Sequence, residues 1–266
     1  ALSYKPVITL EEAENDMSLD ELAAECEKIL QTEYSDKLDT LFRLGGSPGG
    51  TRPKILTKID NDDWIIKFPA SYDSKNIGKQ EYDYALCAGK CGIDMAPVRL
   101  FKSNECQGYF GTKRFDRINT GDGNNVVSRH MVSVSGLLET SHRIPNLDYE
   151  LLMRLTMILT KDTTECKKLY RLKCFAHNRD DHSKNFSYIY LEDEKRWVLS
   201  PAYDLTYSSS LNGEHATTIN GNGVNPGIDD LLEVAKKAGL DIKAARTAAE
   251  DIMECVKENL KEYLYV

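Results

Sequence analysis

Leu19, Leu22, Ala23, Cys26, Ile29 and Leu30 recur at helical spacing with acidic residues between them, which predicts an amphipathic helix over 19–30. The pattern then shortens. TLFRL, PKILTKI and WIIKF read as strands, joined first by the glycine-rich GGSPGGTR and then by the tight turn DNDD. KQEYDYALCAGKCGI returns to helical spacing and stops at Gly92, and PVRLF with GYFGTKRF reads as a further hairpin. DRINTGDGNN has the composition of a linker between lobes, and beyond it the chain is expected to be nearly all helical. Helices are predicted over 149–160, over 162–175 with a capping box between Asp162 and Glu165, over 229–238 and over 242–263. YIYL and RWVLS form a short hairpin around EDEK. The expected fold class is α+β, with an antiparallel β-rich small lobe over 1–117 and a larger, mostly helical lobe over 118–266.

The chain of 266 residues is 41% hydrophobic, enough for one large core or two lobes. Its 34 basic and 42 acidic residues give a net charge of −8, which argues against a surface made for nucleic-acid phosphates. No apolar run approaches the length of a membrane span. The seven cysteines contain no C-x-x-C pair and read as reduced, buried thiols of a cytoplasmic protein; Cys87 and Cys91, four apart on one helical face, read as core packing.

Between two apolar stretches lies HNRDDHSKNF, 177–186, too polar for its surroundings unless it holds protons, metal ions or phosphates. Arg179, Asp180 and Asn185 spell R-D-x-x-x-x-N, the spacing of a kinase catalytic loop, in which the aspartate takes the hydroxyl proton and the asparagine binds metal. SPAYDL supplies Asp204 where a kinase carries its second metal ligand. Upstream, WIIKF sets Lys67 inside an apolar strand, opposite in facing to Trp64, Ile66 and Phe68. Such a lysine either snorkels to water or holds phosphates, and the second role needs an acidic partner. Glu81 shares a helical face with Tyr84, Ala85 and Ala88 and meets that need; its other reading is a first-turn glutamate facing the helix dipole. GGSPGG, followed by the cations of TRPK, has the backbone freedom to wrap phosphates but lacks a Walker A ending.

These ordered motifs, together with KRFDR and NRDDHSKNFS, make residues 41–219 resemble the HipA family of serine/threonine kinases from bacterial toxin–antitoxin pairs. The resemblance implies a two-lobed protein-kinase-like fold using ATP and Mg²⁺. It implies Asp180 as catalytic base, Asn185 and Asp204 as Mg²⁺ ligands, and Lys67 on the ATP phosphates. Gly49, Gly50, Thr51, Arg52 and Lys54 would form the phosphate loop, and Lys113, Arg114 and Phe115 the hinge beside adenine. His182, Lys184 and Tyr203 would line the nucleotide site. Ser47 matches the family's autophosphorylation serine, whose modification ejects the loop and silences the kinase. The implied partners are a protein substrate, of which an aminoacyl-tRNA synthetase is one class, and an antitoxin protein, with DNA reached only through that antitoxin. Two features depart from the family: Arg52 and Pro53 in the loop, and no counterpart of its additional N-terminal subdomain, so a split-type member or a fragment is expected. A kinase-shaped module that binds nucleotide or a partner without transferring phosphate is the competing reading. A metal-dependent hydrolase built on Asp180, Asp181, His182 and Asp204 ranks last.

Overall fold

A computed structural model describes residues 17–31, 34, 35, 37, 40, 41, 44, 52–119, 126–141, 147–175, 181–206, 215–224 and 226–264. The chain resolves into two compact units, one of residues 1–82 and 97–128, the other of residues 83–96 and 129–266.

In the first unit, helix α1 (Leu19–Leu30) starts at Ser18, whose side chain accepts from the Glu21 backbone while Glu21 returns the bond, a closed capping box. Strands β1 (Lys54–Ile59) and β2 (Asp62–Lys67) pair antiparallel through Asp60 and Asn61, both at positive φ, as a two-residue hairpin turn requires. Helix α2 (Ile77–Lys90) begins in this unit and belongs to the second from Asp83 onward, ending before Gly92 at φ +70°. Strands β3 (Val98–Phe101) and β4 (Tyr109–Lys113) complete a sheet of order β1-β2-β4-β3. Ile55, Trp64, Ile66, Phe68 and Tyr109 pack from this sheet onto Leu22, Cys26 and Leu41. Each fully buried side chain of this size contributes about 1.5–3 kcal/mol.

Two expectations are corrected here. TLFRL does not begin as a strand: Thr40 and Leu41 are helical, with Leu41 N donating to Lys37 O and Leu44 N to Thr40 O, both at 3.0 Å. Five residues of which three are apolar fit either period, and the burial of Leu41 in the core decides. DRINTGDGNN is not simply a linker, since β5 (Arg117–Asn119) pairs antiparallel with β6 (Val126–Ser128); the residues between them lie outside those described.

The second unit is not almost wholly helical. Strand β7 (Met131–Ser133) leads into a single turn, α3 (Val134–Leu137). Next come β8 (Leu147–Asp148), α4 (Tyr149–Thr160) and α5 (Thr163–Cys174). Strands β9 (Ser187–Leu191) and β10 (Arg196–Leu199) join β7 in a sheet of order β10-β9-β7, and β11 (Thr217–Thr218) runs parallel to β8. Strands of two to five residues leave almost no period-2 signal in the sequence. Helices α6 (Ile228–Lys237), α7 (Ile242–Asn259) and α8 (Lys261–Leu264) end the chain. Asp162 caps α5 by accepting from Thr164 N, but Glu165 does not close the expected box; its buried carboxylate accepts from Leu199 N at 2.9 Å and so ties α5 to β10.

One glycine fixes where the first turn of α2 lies in the first unit. A Cβ on Gly78 would collide with the Gly108 carbonyl oxygen and stand 3.1 Å from Phe110 N, so only glycine lets the first turn of α2 rest on β4. Gly78→Ala is therefore expected to destabilise the protein by about 1–3 kcal/mol in urea unfolding, although alanine is the better helix former. A stabilised variant would mean that the helix does not need this approach.

Candidate active site

Lys67 ends β2 with its ammonium 3.0 Å from the Glu81 carboxylate on the second turn of α2. The Glu81 side chain is only 5% exposed and Lys67 14%, so neither charge is well hydrated and each requires the other. Arg52 shares this carboxylate, donating from Nη1 to Glu81 Oε1 at 2.9 Å. The rest of its guanidinium forms a two-pronged pair with Asp73, Nε to Oδ2 at 2.8 Å and Nη2 to Oδ1 at 2.9 Å. Burial pushes the Asp73 carboxyl up, but the Arg52 hydrogen bond and the Ala70 N–H outweigh it and hold the group below its ordinary range.

Lys54 stands directly opposite Lys67 in the β1–β2 register, so both project from the same face of the sheet. Like charges placed this way repel, and a polyanion relieves the repulsion. Arg52, Lys54 and Lys67 thus offer three cations against the two carboxylates Glu81 and Asp73, a composition that fits the phosphates of a nucleotide. The remaining loop residues Gly49, Gly50 and Thr51, and Ser47, lie outside the described residues. At the other end of β4, Lys113 pairs with Asp62 at 2.7 Å and Arg114 with Asp116 at 2.7 Å, while their backbone N–H groups donate to Pro97 and Asp63. The side chains of these two expected hinge residues are engaged within the unit, and Phe115 beside them is half-buried.

In the second unit, Arg179 and Asp180 lie outside the described residues, but the stretch from Asp181 onward is described. The Tyr203 hydroxyl donates to the Lys184 carbonyl at 2.7 Å and, with that proton committed, accepts from Ser187 Oγ at 2.5 Å. This bond brings the segment carrying Asn185 against the segment carrying Asp204. Burial raises the Tyr203 phenol to about 12, so it stays a donor. Asp204 is exposed and held at φ +55°, a left-handed conformation that aspartate tolerates better than most residues. The amide oxygen of Asn185 and the carboxylate of Asp204 are hard donors suited to Mg²⁺. Ser183 Oγ and Thr206 Oγ1, each two residues along the chain from one of these donors, are buried with no hydrogen-bond partner among the described residues. His182 is half-buried and Lys184 exposed.

Asp181, next to the expected base, does something the sequence did not reveal. Its buried carboxylate accepts from the Lys173 ammonium of α5 at 2.8 Å and from Thr217 N at 3.0 Å, with His215 Nδ1 3.5 Å away. Its backbone carbonyl accepts from the Thr217 hydroxyl, and Lys173 also lies 4.6 Å from the Tyr149 ring centroid. Asp181 therefore anchors the polar loop to α5 and β11. With its carboxylate committed to an ammonium it is a poor metal ligand, which removes a member of the hydrolase set. A cavity of about 540 Å³ in the first unit lies between α1 and residues 69–75, with Asp73 in its wall; Asp20, Glu21, Glu27 and Glu105 also line it against the single cation of Lys75, and that acidity does not suit a phosphate.

The sequence profile of the HipA-like C-terminal domain matches residues 46–261. No curated protein matches the sequence. Among solved structures, the chain is similar to the HipA toxin of Shewanella oneidensis MR-1, solved with HipB and operator DNA, at TM-score 0.65 and 17% identity, over 81% of this chain and 57% of that one. It thus spans a little over half the length of that toxin. It is also similar to the Helicobacter pylori proinflammatory kinase CtkA, at TM-score 0.52 and 14% identity, over 82% of this chain and 90% of that one. These likenesses show a kinase-like α+β fold.

Asp181→Asn is expected to cost about 3–5 kcal/mol in denaturant unfolding, because it strands the buried Lys173 charge. Replacing both partners by Lys173→Met with Asp181→Leu should cost less. The pH dependence follows from the direction of the shift: burial raises the Asp181 carboxyl, but His215 and Lys173 outweigh burial and depress it. Its contribution is then full above the unfolded value of about 3.9 and is lost as pH falls through the lower folded value. The Asp181→Asn protein should lose that part of the acid slope.

Proposed function

Because the chain belongs to the family of HipA-like C-terminal domains, we propose that it is an ATP-dependent serine/threonine protein kinase. The observation that carries this is the Lys67–Glu81 pair, with the cations of Arg52 and Lys54 beside it. A strand lysine held by a helix glutamate is the arrangement that positions nucleotide phosphates in kinases.

In this reading Lys67 and Lys54 bind the phosphates, and Glu81 keeps the Lys67 ammonium oriented. Asn185 and Asp204 hold Mg²⁺, which neutralises phosphate charge when bound. Asp180 accepts the proton of the attacking hydroxyl, and Asp181 acts through it as a positioning residue by fixing the loop. The substrate is a protein hydroxyl, with an aminoacyl-tRNA synthetase as the proposed class, and Ser47 is the proposed site of autophosphorylation. The Shewanella HipA assembles with HipB, and we carry over an antitoxin as the partner; the net charge of −8 supports leaving DNA contact to that partner. No helix among the described residues is long and apolar enough to cross a membrane.

One observation favours a second reading. Arg52 occupies the same Glu81 carboxylate as Lys67, which suits a module that holds nucleotide in an inactive arrangement and transfers nothing. A single experiment separates the two. Phosphatase-treated protein is incubated with labelled ATP and Mg²⁺, alone and with an aminoacyl-tRNA synthetase panel, and compared with Asp180→Asn. Label on Ser47 or a synthetase, reduced at least about 100-fold in Asp180→Asn, is expected from the loss of a general base. Retained ATP binding with no label on any protein would overturn the kinase and leave the binding module.

A further inference from the structure

Away from the nucleotide residues, Cys87 on α2, Cys91 just beyond its end and Cys255 on α7 bring their three sulfur atoms within 4.8 Å of one another. We propose that these three cysteines form a thiolate site for a soft closed-shell metal ion, Zn(II) or Cu(I). Buried cysteines ordinarily pack as small hydrophobes against carbon. Among the described residues, Cys26, Cys106, Cys166 and Cys174 belong to no such group. Here, instead, three sulfurs from segments more than 160 residues apart in sequence face one another.

The spacing of four puts Cys87 and Cys91 on one side of the helix, as paired ligands on a helix require. Cys87 and Cys91 are buried while Cys255 is half-buried, so the site has an apolar floor and one side toward solvent. Three sulfurs complete a Cu(I) site; for Zn(II), water would fill the fourth, solvent-side position.

The surrounding groups supply a second, independent observation. Asn259 Nδ2 donates to Cys255 Sγ at 3.6 Å and to the Cys255 carbonyl at 2.8 Å, and Lys90 Nζ donates to Asn259 Oδ1 at 2.5 Å. A cation polarising an amide that points its N–H at a sulfur is the outer hydrogen bonding that tunes metal–thiolate centres. Arg171 donates to the Cys91 carbonyl on the other side. Lys90 and Arg171 bring two positive charges to a centre whose net charge would be −1 with Zn(II) or −2 with Cu(I) once the thiols release their protons.

The test uses the full chain, reduced and stripped of metal under anaerobic conditions, titrated with Co(II) as the spectroscopic stand-in for Zn(II). One equivalent should bind with an intense sulfur-to-cobalt charge-transfer band, and Zn(II) should displace it. A parallel competition against a chromogenic Cu(I) chelator identifies which ion the site prefers. Cys255→Ala, at a half-buried position and checked for retained helicity by circular dichroism, should abolish the band, as should Cys87→Ser if it folds. Cys26→Ser should leave it unchanged, and Asn259→Ala should weaken binding by about 10–100-fold. The proposal is overturned if no thiolate band forms, if the band persists in Cys255→Ala, or if the native protein carries a disulfide joining Cys255 to Cys87 or Cys91. None of these readouts depends on kinase activity.

Discussion

A lysine at the end of an apolar strand must either reach water or find a counter-charge, and this protein is organised around the second solution. Lys67 is 14% exposed and meets a Glu81 that is more deeply buried still. Gly78, lacking a Cβ, lets the first turn of α2 approach the Gly108 backbone, and Glu81 follows on the next turn. Desolvation makes the pair costly to break from one side, so strand and helix are held at a fixed separation. Arg52 and Asp73 extend the same network to the end of the glycine-rich segment.

The second unit applies the same rule to another end. Lys173 lies on the buried stripe of α5 and would be untenable there alone; Asp181 neutralises it and is itself fixed by Thr217 and His215. Structural charge pairing and candidate chemistry thus occupy adjacent residues of one loop. Tyr203 completes the arrangement by clasping the Lys184 carbonyl, so that the residues suited to a divalent cation come from two segments joined by one hydroxyl. Asp204 is held in a left-handed backbone conformation, which costs free energy that the surrounding fold must offset.

Much of this was legible in the chain. The helix over 19–30, the hairpin across Asp60 and Asn61 and the stop at Gly92 each carry a local signal of period, turn or cap, and the Lys67–Glu81 pairing followed from the cost of burying charge. What escaped had no local signal. The strands β5 to β8 and β11 are too short for a period, and TLFRL fits two periods at once. Glu165 looked like a capping residue because the competing acceptor role, to Leu199 N, is reached only through the fold. Lys173 could have been suspected, since it continues the spacing of Cys166, Leu169 and Tyr170, all buried. Its partner Asp181 hid beside the kinase motif, and Asp73 sits in a polar loop where nothing in the spacing marks it.

Lys67, held by Glu81, is proposed to bind ATP phosphates, and Asp204 to hold the Mg²⁺ that accompanies ATP. The most direct measurement is calorimetric titration of the intact chain with ATP, with and without Mg²⁺, compared with Lys67→Met and Asp204→Asn. The account predicts that Lys67→Met weakens binding under both conditions, whereas Asp204→Asn removes only the gain that Mg²⁺ provides. Unchanged affinity in both variants, or a wild-type protein that binds no ATP, would contradict it.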